Sequence, residues 1–506
     1  MLEISGHGLT LESYASVSEN REPVALSSDA RARVAEGRRA IERLVARHEP
    51  VYGVNTGFGL LSDRRIPDDH LADLQKRLLL SHAAGAGPPL RPATVRGMLL
   101  LRANTLAQGH SGVRPAIIDR LLELLNRNLL PIVPSRGSVG ASGDLAPLAH
   151  LALPVIGEGW ISLEGTRTRA SEALAAVELE PMELEAKEGL ALINGTQAMT
   201  AVLARGALAA RRLTKIADLI GALSTDAIRG TDTGFDERLH GLRPHPGQQA
   251  SARNLWKVFQ GSEIRESHRI DDTRVQDPYS FRCMPQVHGA ARDVLADVER
   301  KLEIEMNSVT DNPLIFPDEE GGDAVVSGGN FHGEPIAMAA DFLCVAIAEI
   351  GSISERRIEQ LTDPKFSDLP AFLVDEPGLN SGFMIAHVTA AALASENKTL
   401  CFPASVDSMT TSAGQEDHVS MGMGASLKMD QVLDNARRIL AVELAAACQG
   451  IDFRQPMKTS PHLEALHADV RRVVAHWTED RVMADDLAAC EEFLRRGVEP
   501  HIEGLE

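Results

Sequence analysis

Residues 336–350 read IAMAADFLCVAIAEI, apolar on nearly every side of a helical wheel, with only Asp341 and Glu349 interrupting. A helix that is apolar all round needs cover from other protein or from lipid. The run falls short of the roughly 20 residues a bilayer crossing takes. The sequence therefore predicts a helix enclosed by other helices. Aromatic residues make up only 4% of the 506, so the core must come from Ala, Leu, Val and Ile. Ala and Leu lead the helix propensity scale, whereas strands favour β-branched and aromatic residues.

Apolar spacing extends this reading. Ile117, Ile118, Leu121, Leu122, Leu124 and Leu125 repeat near the helical period. Helices are expected over residues 196–223, 290–308, 335–361, 382–400 and 421–449, the last with Met429, Val432, Leu433, Ala436 and Leu440 on one face. Long helices between polar loops predict a mainly α fold, a long-helix bundle. The first ~110 residues look different. LEISG and LTLES read as short strands, and Ser28-Asp29 as the cap of a helix that Pro50 must end. The expected division is a mixed N-terminal domain over 1–110 and an elongated helical domain over 111–506. Residues 225–260 and 307–334 read as loops longer than a connection needs.

Charge and cysteines narrow the function classes. With 51 Lys+Arg against 71 Asp+Glu, the net charge is −20. That argues against nucleic acid or an anionic membrane as partner. Five cysteines without a CxxC pair make neither a disulfide scaffold nor a zinc ribbon. MLEISGHGLT has no basic and apolar leader, so the expectation is a cytoplasmic protein.

The segment GSVGASGDLAPLAH, from Gly137 to His150, carries the most chemistry. It fails as a G-x-S-x-G nucleophile elbow, because Asp144 stands where the second Gly should be. An Ala-Ser-Gly triplet in a tight bend can instead cyclise. The Gly143 nitrogen attacks the Ala141 carbonyl, and loss of two waters, one from the Ser142 side chain, leaves a methylidene imidazolone. The product is an electrophile that no ordinary side chain supplies. Asp144 reads as the cap of the following helix.

This segment resembles the signature of the aromatic amino-acid ammonia-lyases. YGVNTGFG, SHAAGAG, NGTQAM, RVQDPYSFRCMPQVHGA, TDNPL, SGGNFHGEP and QEDHVSM match family segments in the family's order, over nearly the whole chain. The resemblance implies a fumarase/aspartase-like fold, an electrophile formed autocatalytically from Ala141-Ser142-Gly143, and a homotetramer whose sites draw on three chains. It further implies Tyr52 as the base, Tyr279 as an assistant to elimination and Arg282 as the substrate-carboxylate anchor. Asn194, Gln276, Phe331 and Gln415 line the same site.

The residues support this where they can. Of three tyrosines, Tyr52 and Tyr279 sit in Gly- or Pro-flanked polar segments. A phenol with a pKa near 10 needs cationic or hydrogen-bonding surroundings to act as a base near neutrality. Arg282 follows Tyr279 by three residues, so a helical turn would point both one way. Within the family, Ser81-His82-Ala83-Ala84-Gly85 resembles the version acting on histidine. Glu416 fits an imidazole, which can donate an N–H. The implied reaction is loss of ammonia from L-histidine to give trans-urocanate. The alternatives are a tyrosine or phenylalanine lyase, a 2,3-aminomutase and, remotely, a non-catalytic helical assembly protein. No metal or nucleotide is expected. His332-Gly333-Glu334 gives the H-x-E half of a zinc deaminase signature without its P-C-x-x-C half. No Lys follows Gly57-Phe58-Gly59 as a phosphate loop requires.

Overall fold

The computed structural model describes residues 1–47, 50–57, 59, 64–163, 165–270, 272, 274–318 and 322–506. Phe58 of the Gly-rich turn, and 319–321 of the second long loop, lie outside the described residues. The chain forms two compact units. The first holds residues 1–208, 299–341 and 403–427; the second holds 209–298, 342–402 and 428–506. The expected boundary near residue 110 falls inside the first unit. That unit holds α1 (Leu11–Ser18), α2 (Ser28–Ala46), α3 (Leu71–His82), α4 (Pro92–Leu106) and α5 (Pro115–Asn126), with α4 packed on α1 and α5.

Two short parallel strands, β1 (Leu2–Ile4) and β2 (Val24–Leu26), pair at the start of the chain. The LTLES segment is not a strand. Thr10 caps α1 by accepting from the Ser13 amide, and the Ser13 hydroxyl closes the capping box. That local pairing of polar groups outweighs the alternating pattern. Tyr14 then points inward, fully buried, and donates its hydroxyl to the Ala201 carbonyl at 3.0 Å. Farther along, β3 (Ala86–Pro89) pairs antiparallel with β4 (Pro134–Arg136), which feeds the Gly137–His150 segment. α6 (Leu145–Ala152) and α7 (Glu188–Ile193) follow, packed on each other and on α3.

The long helices appear where the spacing predicts them: α8 (Gln197–Ala227), α10 (Met284–Met306), α11 (Glu334–Thr362), α12 (Met384–Leu400) and α13 (Gly422–Asp452). The loop expected over 225–260 is instead largely helical. α9 (Pro246–Phe259) starts on Pro246, a residue that reads as a breaker but suits the first helical position. α11 is 29 residues long, so length and composition alone would let it cross a bilayer, contrary to the shorter run seen in sequence. Its apolar window is 67% buried inside the protein. The second unit's portions of these helices meet through buried polar groups. Glu443 on α13 accepts from Arg357 on α11 at 2.5 and 2.8 Å, and from Ser354 and Ser224.

Candidate active site

The Gly137–Asp144 bend is held almost entirely by backbone and short side chains. Gly143 has a φ of 68° and pairs as an isolated bridge with Gly195. The Asp144 amide donates to the Gly195 carbonyl at 2.7 Å. A Cβ on Gly143 would meet that carbonyl oxygen at 2.1 Å, so both the conformation and the close approach require glycine. On the other side the Met421 amide donates to the Val139 carbonyl at 2.8 Å.

Asp144 does not cap α6 with its side chain. Its carboxylate turns inward and accepts from the Ser138 hydroxyl and the Met199 amide, both at 2.8 Å. Burial without a cation pushes its pKa up to about 6, against the pull of those bonds.

Ser142 is thereby presented to a cavity of about 840 Å³ within the first unit. Its hydroxyl donates to Glu416 Oε1 at 2.9 Å. Glu416 sits on a loop, and its Oε2 accepts from the Thr411 hydroxyl at 2.6 Å. His82, in the last turn of α3, places Nδ1 2.9 Å from the Leu78 carbonyl oxygen. That contact requires a proton on Nδ1, so in the neutral ring Nε2 is an acceptor. Burial lowers the His82 pKa against the opposing pull of the Leu78 carbonyl and the Glu416 charge. Tyr52 also lines the cavity. Its phenol is not activated by these surroundings. Burial raises its pKa, the Gly59 backbone lowers it, and the Glu416 charge raises it again.

Ala141, Asn194, Phe331 and Gln415 complete the expected residues on this wall. Asn194 follows α7, and its carbonyl accepts from the fully buried Arg102 at 2.8 Å. Asn312, Ser327, His332 and His418 also line the cavity, and no motif in the sequence assigns them a site role. Asn312 belongs to the TDNPL segment, which matches the family without pointing to a function.

Gln276, Tyr279 and Arg282 belong to the second unit and are not among the lining residues. They form a cluster of their own. Residues Tyr279–Arg282 make one helical turn, anchored by the buried Phe281. Arg282 lies 4.5 Å from the centre of the Tyr279 ring, donates to the Asp277 carbonyl at 3.0 Å and donates to Gln276 Oε1 at 3.0 Å. Tyr279 is 71% exposed.

Comparison with known proteins gives a consistent result. A family model described as aromatic amino acid lyase matches residues 9–472. A histidine ammonia-lyase of Koribacter versatilis is 52% identical, covering 98% of each chain. The crystal structure of histidine ammonia-lyase from Trypanosoma cruzi has a TM-score of 0.90 at 44% identity, covering 99% of this chain and 96% of that one. A tyrosine aminomutase from Streptomyces globisporus has a TM-score of 0.94 at 37% identity, covering 100% of both.

Proposed function

The chain belongs to the aromatic amino acid lyase family, a family of fumarase/aspartase-like helical fold, and from that premise we propose that it eliminates ammonia from L-histidine to give trans-urocanate. The carrying observation is the pinned bend that presents Ser142 to the carboxylate of Glu416. The Ala141-Ser142-Gly143 bend fits the precursor of a methylidene imidazolone, because the Gly143 position admits no side chain. That group would supply an electrophile able to turn the substrate amine into a better leaving group.

The remaining work falls to ordinary side chains. Tyr52 removes the β-proton. Glu416 Oε1 is occupied by the Ser142 hydroxyl in the uncyclised chain. Loss of that hydroxyl frees Oε1 to accept an imidazole N–H. His82 Nε2, an acceptor in the neutral ring, faces the same requirement: a substrate that donates. A phenyl ring offers neither bond. Asn194, Phe331 and Gln415 orient the substrate.

We assign the carboxylate clamp to Arg282, with Gln276 and Tyr279 beside it, supplied by neighbouring copies in a homotetramer. Two features support shared sites. The cluster is preformed and exposed. α11 also carries a half-exposed apolar stripe of Met338, Phe342 and Val345, and α12 exposes Ile385 and Val388. All five cysteines are free thiols, which suits a reducing cytoplasm. Following urocanate absorbance with L-histidine, beside tyrosine and phenylalanine, tests the reading. Tyrosine turnover equal to that of histidine would replace it with a tyrosine lyase or aminomutase.

A further inference from the structure

Beside the cavity, which His332 and His418 line, stands a second group of side chains that the elimination leaves unused. His332, Glu334 and His418 each offer a ligand atom, and these atoms lie within 4.8 Å of one another. His332 and Glu334 flank Gly333 at the start of α11, while His418 follows Glu416 by two residues. The two imidazoles are nearly parallel, at 6° with centroids 5.9 Å apart.

Their hydrogen bonding is incomplete. Glu334 Oε2 is buried and has no hydrogen-bond partner among the described residues. Leaving a carboxylate oxygen so placed costs free energy unless something pairs with it. His332 Nε2 is 3.3 Å from the His418 carbonyl oxygen, and His332 Nδ1 is 3.4 Å from the Glu334 amide. Both contacts exceed the usual hydrogen-bond range, so neither ring nitrogen is firmly committed.

Two imidazole nitrogens and one carboxylate oxygen are a zinc donor set with one coordination position left open. Calcium and magnesium prefer oxygen donors throughout. Zinc bonds of about 2.1 Å would bring tetrahedral donors to about 3.4 Å apart, a closure that small side-chain rotations supply. We propose that His332, Glu334 and His418 bind one zinc ion per chain. The ion ties the turn carrying Phe331 to the loop carrying Glu416. It takes no part in the elimination, and the proposal stands whichever amino acid is the substrate.

The test uses the purified full-length protein, dialysed against a chelator and titrated with Zn²⁺ by calorimetry. A melting curve with and without Zn²⁺ gives a second readout. One ion per chain is expected, with a higher melting temperature on binding. His418→Gln, at an exposed position, and Glu334→Gln should each weaken binding at least about tenfold, the loss that removing even an outer-shell partner brings. Each should shrink the melting shift correspondingly. Absence of saturable binding overturns the proposal. Binding of equal strength in both variants overturns it too, by placing the ion on other groups.

Discussion

Asp144 and Asp218 are both fully buried, and they are treated in opposite ways. Asp144, in the first unit, is held by a hydroxyl and an amide, and burial pushes it up to about 6. Asp218, in the second, is pushed up by burial too, but Arg292 at 2.6 Å and His288 at 2.8 Å outweigh this and hold it to about 2. Asp218 is thus neutralised by the Arg292 cation, with His288 hydrogen-bonded beside it, whereas Asp226, in the same unit, is held by the Ser262 and Thr459 hydroxyls and burial pushes it up to about 6 as well. The bend beneath Ser142 keeps an unneutralised acid because the bonds that acid accepts fix the geometry of the turn. The bend accepts a stability cost to hold a conformation, and the Asp218 site spends its charges on cohesion.

The largest effect should come from Ser142→Ala. The substitution removes the hydroxyl that must leave, so turnover should fall by roughly 10³-fold or more, while the melting temperature stays near that of the parent. The parent should also show a chain mass lower by two waters, and the variant should not. Wild-type turnover in the variant would break the assignment of Ala141-Ser142-Gly143 as the source of the electrophile.

Substrate choice comes next. A site built on hydrogen bonds rejects an analogue lacking them by roughly 10⁴-fold, so phenylalanine should be turned over that much less well than histidine. Tyrosine should fall between, because its hydroxyl can bond to His82 or Glu416. Comparing kcat/KM for the three amino acids checks the order.

The contrast in legibility runs along the same line. The long helices could be read because 3.6-residue periodicity survives whatever packs around it. The ends could not. Leu11 begins a helix because Thr10 and Ser13 exchange hydrogen bonds, and the 225–260 segment is largely helical because Pro246 stands at a first turn. Ser142, Glu416, His82 and Tyr52 were nameable only through ordered motifs. Their meeting in one cavity depends on contacts such as Ser142–Glu416, 274 positions apart. Asp144 was visible as an acid before a helix, but nothing in its neighbourhood shows that it turns to the Met199 amide instead. Nor does any local pattern say that the Tyr52 phenol sits near the Glu416 carboxylate.

In the bundle, Arg357→Met should act on stability rather than chemistry. Arg357 and Glu443 are both fully buried. Removing one partner strands the other charge, at a cost of about 3–5 kcal/mol, readable as a lower denaturation midpoint. Arg357 also donates to the Ser280 carbonyl at 3.3 Å, in the turn that carries Arg282, so the folded fraction should keep most but not all of its turnover. A loss of activity without a loss of stability would show that the two regions are coupled.

pH separates the two acids by sign. The folded pKa of Asp144 is raised, so the folded state binds an extra proton between about pH 4 and 6. Its contribution to stability therefore falls as pH rises through that window, by about 3 kcal/mol at most. Asp218 is depressed, so its contribution is fully present above its unfolded value near 4 and is lost as pH falls towards 2. Asp144→Asn should remove Asp144's share of the first slope, leaving the share of Asp226, which burial also pushes up to about 6, and should leave the second unchanged. Stability curves for the two proteins from pH 3 to 7 would show whether the bend carries the cost assigned to it.

The smallest effect concerns Tyr52. Burial raises its pKa first, the Gly59 backbone lowers it, and the nearby charge of Glu416 raises it further. A phenol acting as base is productive only when ionised, so kcat should climb with pH on the alkaline side. Glu416→Gln keeps the side chain's shape but removes the negative charge that disfavours the phenolate. The rising limb should therefore move to lower pH, by less than about one unit because burial, the larger cause, is untouched. Histidine turnover itself will be reduced by the lost imidazole contact, so the position of the limb, and not its height, is the quantity to compare. A limb that stays in place would mean that Glu416 recognises the substrate without reaching the base, and the cavity's two acid–base roles would then be electrostatically separate.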